Sequence, residues 1–397
     1  MIENDNDLYR IRIIDIWFFF VLLSFLHPKG FSEISPIYNS FFTSCVWLST
    51  ITIFFQLLFR ILVGKLHIKK IFSPIVIYFI AAYIITYVQR DLIESGLQQL
   101  IATPALCLFL SLNFERNWKS IIHIINNLLI IFFIINLLTL WNVFSGTFHQ
   151  IFLGHVQVVP QFGLLAFFFA NLEIILEDKK KIKDIVLILL AIVTMLFGDV
   201  LLAIITLVIM LLIWIVYKWR IYQMFSLSSM WYIIVMFFIN MLLLNIVSSY
   251  NNILQRVITD YTLSGRMFIW RNAIEIIKQQ PWLGYGIAGV QIQTFWSMGM
   301  NYAHNQIIQN LIDGGVVLLF SFWMMILSYG KFITKLQDVR VKVLSNATLI
   351  AFLSIMLTEA VTIYVYFYLF LSILPALYKI VEKKRGVNYE YIYNSKN

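Results

Sequence analysis

The chain has 397 residues, 61% of them hydrophobic and only 12% charged, with a mean hydropathy of +0.84 and a net charge of +9. Soluble chains are about 45–50% apolar and about 25% charged, so this composition excludes an ordinary cytosolic enzyme, a nucleic-acid-binding module and a disordered scaffold. Cys45 and Cys107 both lie inside apolar runs and give neither a disulfide framework nor a metal signature. What remains is a polytopic membrane protein whose length fits one membrane domain, 1–397.

A transmembrane helix needs about 20 mostly apolar residues. The apolar runs predict an all-α protein with about twelve spans, near 11–27, 41–62, 71–88, 97–112, 121–141, 161–176, 185–197, 200–217, 229–247, 316–329, 344–358 and 361–379. The first lacks a small-residue cleavage site, and Trp17 with Phe18–Phe20 is heavier than a signal core, so it reads as a span. The run 185–217 would be about 50 Å long as one helix, too long for a single crossing. Gly198-Asp199 breaks it and reads as a tight turn between two short spans. Glu359 interrupts 343–380 in the same way.

The basic residues test this layout. With twelve spans and both termini in the cytoplasm, 23 of the 29 Lys and Arg fall on inner segments and 6 on outer ones. Reading 185–217 as one span would make the split 16 to 13. The positive-inside rule prefers the first arrangement, so the basic runs 65–70, 179–183 and 383–385 act as orientation signals. The six outward cations are then Lys29, Arg90, Arg256, Arg266, Arg271 and Lys278.

Most connections are short, but 248–315 spans about 68 residues and faces outward by the same count; a long loop on a compact scaffold is where function concentrates. Within it, 266–280 places Met267, Trp270, Ile274 and Ile277 on one face of an amphipathic helix, with Ser264 as N-cap and Pro281 as stop. The next segment, 281–286, is turn-rich and lacks the third glycine of a dinucleotide fingerprint. Residues 304–312 form a second amphipathic segment, and Gly314-Gly315 leads into the next span. The 142–160 loop holds His149 and His155 but no Lys or Arg; neither histidine has a carboxylate at metal-ligand spacing, and both read as ordinary interfacial residues.

The ordered set Ser264-Gly265-Arg266, Trp270, Pro281-x-x-Gly284-x-Gly286, His304-Asn305 and Gly314, placed before a late span, resembles the O-antigen ligase/polymerase superfamily. The signature covers about 50 residues, and the twelve-span layout with one long outer loop matches along the chain. The resemblance implies a GT-C-like membrane glycosyltransferase that works without cofactor or metal. Its substrates would be polyprenyl-diphosphate-linked oligosaccharide repeat units, as donor and acceptor, at the outer face of a bacterial cytoplasmic membrane. Membrane lipid, and a flippase and a chain-length regulator, are the partners it suggests; nucleic acid is not. One departure stands out: many members carry a Ser-Arg pair at the turn after the seventh span, where this chain has Phe197-Gly198-Asp199.

Such a transfer needs cations for the leaving diphosphate and a base for the attacking hydroxyl. Arginine suits the first task because its planar fork stays charged and pairs bidentately with phosphate. Arg266 carries the family motif and is the first candidate, followed by Arg271 and then Arg90 at head-group depth. His304, at a helix start, is the candidate base. Glu359 and Asp199 are expected mainly to break apolar runs, although either could orient His304 or contact sugar hydroxyls. Trp282, Trp296 and Tyr302 could stack on sugar rings. A polymerase is the preferred reading and a ligase passing the glycan to another acceptor is the alternative. A transporter is the remote third, because ion-coupled carriers keep ionisable groups at mid-membrane and the span centres here hold none. The buried asparagines Asn126, Asn136 and Asn240 are expected to bond between helices.

Overall fold

The computed structural model describes residues 12–32, 34–66, 71–89, 94–139, 150–197, 201–218, 229–249, 261–294, 297–300 and 302–394. Among these the chain forms twelve α-helices: α1 (Ile13–Leu26), α2 (Pro36–Leu62), α3 (Pro74–Gln89), α4 (Glu94–Thr139), α5 (Val159–Glu177), α6 (Ile182–Phe197), α7 (Leu201–Lys218), α8 (Ser229–Ser249), α9 (Tyr261–Gln279), α10 (Gln306–Lys335), α11 (Val339–Ile355) and α12 (Val365–Asn394). Two small antiparallel hairpins accompany them, Gln150–Ile151 with Gly154–His155, and Ile292–Thr294 with Ser297–Met300.

By length and composition α2, α4, α5, α10 and α12 contain segments able to cross a membrane, and α1, α3, α7 and α8 contain shorter apolar helices. The chain is an all-α integral membrane protein. The helices do not map one to one onto the expected spans. The expected spans 97–112 and 121–141, the latter as far as Thr139, belong to the single element α4, in which two helices meet at Asn117 (φ −124°, ψ 27°). Residues 306–312 of the second amphipathic segment and the span after it are likewise one element, α10. Ser264 lies inside α9, which starts at Tyr261, so it is not the N-cap expected from sequence. The turn Gly198-Asp199 lies outside the described residues.

Lipid is as apolar as leucine, so burial from water does not hold such helices together; close packing and interhelical hydrogen bonds do. Phenylalanines fill much of the interior: Phe168 meets Phe370 edge-on at 5.1 Å, and Phe352 meets both Phe367 and Phe370. Asn126 bonds between helices as expected, donating to Glu173 at 2.6 Å. Asn136 instead accepts from the Leu153 amide in the loop, and Asn240 bonds the Met236 carbonyl of its own helix.

The two ends of the bundle differ chemically. At one end lie the start of α1, the end of α2, the bend of α4, the end of α5 and the start of α11. Here Arg12 reaches Ser120, Arg60 reaches Leu112 and Asn113, Lys379 and Lys383 hold Glu115, Lys181 and Lys183 hold Glu173, and Arg340 holds Asp178. These are the segments that carry the inner charges in the sequence layout. At the other end lie the end of α1, the starts of α2, α5, α10 and α12, and the end of α11.

At that second end α10 is broken. Gly314 (φ −156°, ψ 19°) and Gly315 (φ 59°, ψ −159°) leave the helical region. The amides freed by the break find partners in the turn-rich segment after α9: Val316 N–H donates to the Pro281 carbonyl at 2.9 Å and Val317 N–H to that of Trp282 at 3.3 Å. In return the Tyr285 amide donates to the Ile312 carbonyl at 2.8 Å. Such a kink is stable only when the freed groups are re-satisfied. The contact leaves no room for side chains: a Cβ at Gly315 would lie 2.2 Å from the Trp282 carbonyl carbon, and one at Gly284 2.4 Å from the Ile312 oxygen. The glycines of the sequence signature thus dock 281–286 onto the break in α10.

This docking sets a test. Gly64 also has a positive φ of 70°, but nothing lies within 4 Å of its Cβ position, so Gly64→Ala should cost only backbone strain, about 1 kcal/mol. Gly315→Ala adds a backbone clash and should cost clearly more, about 3 kcal/mol. Thermal unfolding of the purified variants measures the difference, and equal losses would mean that 281–286 does not pack tightly on α10.

Candidate functional site

The site is centred on a carboxylate. Glu359 lies in the connection between α11 and α12, ahead of the 3-10 turn Val361–Ile363, and its side chain is 1% exposed. A buried carboxylate is costly unless paired and hydrogen-bonded. Four groups from three other parts of the chain meet this need.

Arg266, on the second turn of α9, donates from Nη2 to Glu359 Oε1 at 2.8 Å and is itself only 14% exposed. His304 Nδ1 lies 3.2 Å from Oε1 and 3.3 Å from Oε2. The Tyr302 hydroxyl donates to Oε2 and accepts from the Ala360 amide at 3.2 Å. Gln157, with its amide oriented to satisfy both neighbours, donates to Oε1 at 3.1 Å and accepts from Arg266 Nη2 at 2.9 Å. The imidazole of His304 stands edge-on to the Tyr302 ring, with centroids 4.3 Å apart.

Local structure explains how these groups converge. Trp270 is one helical turn beyond Arg266 and so shares its face of α9. Its buried ring packs with Ile269, Ala273, Ile308 and Ile312, and its indole N–H donates to the Ala303 carbonyl at 2.9 Å. That bond ties α9 to the 302–305 loop. His304 has φ 48°, in the left-handed region that histidine visits more readily than most residues. The reversal lets Tyr302 and His304 reach the same carboxylate while Asn305 caps α10. Asn305 Oδ1 accepts from the Ile307 and Ile308 amides at 2.9 and 3.1 Å, satisfying two of the donors a helix start leaves free. Its Nδ2 donates to the Leu357 carbonyl at 3.0 Å. The Gln306 side chain then makes two bonds with Thr362, at 2.9 and 3.1 Å, and its amide donates to the Met356 carbonyl. Segments 302–306 and 356–362 are therefore laced together on both sides of Glu359.

Burial, and then the negative charge of Glu359, push the Tyr302 phenol well above its usual range. It remains protonated and acts as a fixed donor to the carboxylate. Nδ1 faces an acceptor-only group, which assigns the imidazole hydrogen to that atom. The Nε2 lone pair is then left for another proton. Chemically, the arrangement offers one oriented imidazole and one oriented guanidinium beside a common anchor.

The structure brings together Arg266 and His304, the first-ranked candidates from sequence. Arg271 is exposed; five residues along α9 place it about 140° around the helix from Arg266, and it takes no part in the cluster. Arg90 lies outside the described residues, as do Asp199, His149 and Trp296. His155 caps the 3-10 turn Val156–Val158 by accepting from the Gln157 amide at 3.4 Å. Trp282 is exposed. Tyr302 is held by Glu359 rather than standing free as a stacking platform. Glu359 was legible only as an acid in an apolar run, although its capacity to orient His304 was already apparent. Gln157 carried no signal beyond its place in the second-longest outer loop. Among the described residues no group of three or more His, Cys, Asp and Glu side chains could hold a metal ion.

Residues 185–323 match the family model described as O-antigen ligase. The match spans about a third of the chain and contains Arg266, Tyr302 and His304, while Gln157 and Glu359 lie outside it. It supports a place in the O-antigen ligase/polymerase superfamily. No curated protein and no solved structure matches the chain at a significant level.

The cluster can be probed as a coupled unit. Glu359→Ala should lower the unfolding temperature strongly, because it strands the Arg266 guanidinium and the Tyr302 hydroxyl. Combining it with Arg266→Ala should recover part of that loss, with a coupling of about 2 kcal/mol in a double-mutant cycle. Strictly additive losses would show that the pair contributes nothing to holding the site.

Proposed function

We propose that the chain is a polysaccharide polymerase. In this reading it joins polyprenyl-diphosphate-linked oligosaccharide repeat units of an O-antigen, capsule or exopolysaccharide at the outer face of the bacterial cytoplasmic membrane. The family match supports lipid-linked glycan chemistry in general. The observation that carries the finer reading is the convergence of Arg266 and His304 on the buried Glu359. The bundle crosses the membrane about twelve times with both termini in the cytoplasm. Its basic end then faces the cytoplasm, and the Glu359 cluster sits at the outer head-group level.

In the proposed reaction a hydroxyl oxygen of the acceptor sugar attacks the anomeric carbon of the donor. The bond from that carbon to the diphosphate oxygen breaks, and the polyprenyl diphosphate leaves with the electron pair. His304 Nε2 takes the hydroxyl proton, a role open to an imidazole near neutrality. Glu359 holds Nδ1–H and stabilises the imidazolium as it forms, the same division of labour as in a carboxylate–histidine pair of a hydrolase. Arg266 faces the charge developing on the leaving diphosphate. One of its nitrogens is committed to Glu359 and Gln157, which fixes the plane of the fork. The scheme is written without a metal. Arg271 and Arg90 are auxiliary candidates for the diphosphate. A flippase supplying the substrate and a chain-length regulator would act alongside.

The alternative is a ligase that transfers the finished glycan to another acceptor, and the family match supports either. The two differ in what accumulates. A strain lacking this protein should hold single-repeat products if it is a polymerase, and long lipid-linked chains if it is a ligase. Re-expressing His304→Ala in that strain should leave the deletion pattern unchanged although the variant inserts normally; restored polymer would remove His304 from the mechanism. Arg266→Lys should lose nearly as much activity as Arg266→Ala, because a point charge forfeits the fork geometry. Full activity with lysine would reduce Arg266 to a generic charge.

A further inference from the structure

Lys29 is one of the six outward cations, and its surroundings set it apart. It follows α1 and precedes the 3-10 turn Gly30–Ser32. The hairpin 150–155 holds this stretch from one side: Lys29 N–H donates to the Leu153 carbonyl at 3.3 Å and Gly30 N–H to that of Phe152 at 3.0 Å. The approach is so close that a Cβ at Gly30 would sit 2.0 Å from the Ile151 oxygen. On another side the ammonium lies over the Tyr364 ring, 5.7 Å from its centroid.

Both flanking elements also serve the Glu359 cluster. The hairpin runs directly into Gln157, which contacts Glu359 and Arg266. Tyr364 closes the 3-10 turn that follows Glu359. Lys29 is thus attached to the same site by two separate routes. It is exposed, yet burial among neighbouring atoms lowers its pKa, with no carboxylate offsetting the loss. Among the described residues no carboxylate lies within ion-pair distance of it. The cation over an aromatic face recovers part of the desolvation cost, and its ammonium still has hydrogens free to meet an anion.

Charge balance indicates which anion. Arg266 and Glu359 cancel, and His304 acts as a base only while neutral. The residues already assigned therefore bring little net positive charge to a leaving group that carries several negative ones. We propose that Lys29 binds a phosphate oxygen of the lipid-linked diphosphate, completing the anion site that Arg266 begins. This inference rests on the reaction proposed above.

The same phosphate chemistry is offered by a phospholipid head group, so the test separates the two sources. Purified protein in phosphatidylcholine nanodiscs is titrated with geranylgeranyl diphosphate, and with geranylgeraniol as the uncharged control. Lys29→Met and Lys29→Gln should each weaken diphosphate binding about tenfold, the scale of one charge-assisted hydrogen bond, and leave the alcohol unaffected. Lys29→Arg should bind like the parent protein. Lys278→Ala should too, since Lys278 is exposed and pairs with Glu275 on the outer side of α9. Unfolding temperatures identify any variant that fails to fold; the Gln and Arg variants then decide in place of Met. If the Met and Gln variants bind the diphosphate as tightly as the parent while Arg266→Ala does not, Lys29 has no part in the site and the proposed reaction stands. If the parent binds diphosphate no better than the alcohol, the proposed reaction fails and this inference with it. If phosphatidylglycerol in the nanodisc abolishes only the Lys29-dependent part of binding, the ligand is a head group and the assignment to substrate is overturned.

Discussion

A carboxylate removed from water and set beside a lipid phase has to be answered by donors, and Glu359 is answered from three directions. Arg266 comes from α9, Tyr302 and His304 from the loop before α10, and Gln157 from the loop before α5. Satisfying one acid therefore fixes the relative positions of these segments. It also explains how a site can be built on loops and still be stiff: the capping bonds of Asn305, the paired amide of Gln306 and the indole bond of Trp270 hold the surrounding backbone.

The same acid organises the chemistry. An imidazole with Nδ1 against a carboxylate presents its other nitrogen as an acceptor, and a guanidinium with one edge occupied presents the rest of its fork in a fixed plane. Glu359 contributes orientation and charge compensation while remaining almost wholly shielded. The arrangement carries a cost in net charge, because a paired arginine is a weaker field for a diphosphate than a free one. In the proposed reaction the lysine over Tyr364 would supply the missing positive charge from an element remote in sequence.

The opposite end of the bundle shows a different use of charge. There Lys and Arg pair with Glu115, Glu173, Asp178 and Asp338. Most of these bridges are partly exposed, and pairs of that kind contribute little to stability. Their weight lies in sidedness: basic residues at one end bias which face stays in the cytoplasm. Glu173 is the exception, at 3% side-chain exposure, with Lys181, Lys183 and Asn126 all directed at it.

The membrane character of the chain, the approximate positions of its helices, and Arg266 and His304 as candidates were legible in the sequence. Those features depend on local composition, on helical periodicity and on short ordered motifs. Periodicity could not say that 97–139 is one element bent at Asn117, because a kinked helix and two helices with a tight turn share the same apolar pattern. Nor could it show that Gly284, Gly314 and Gly315 meet in space. They do so in a contact between two loop segments, in which the backbone of 281–282 replaces hydrogen bonds that α10 lost. Tyr302, Gln157 and Glu359 looked like a possible stacking residue, an unremarked amide and a helix breaker. Only tertiary structure could make them a cluster, because hydrogen bonds depend on distance in space, and these residues are separated along the chain by the helices that bring them together.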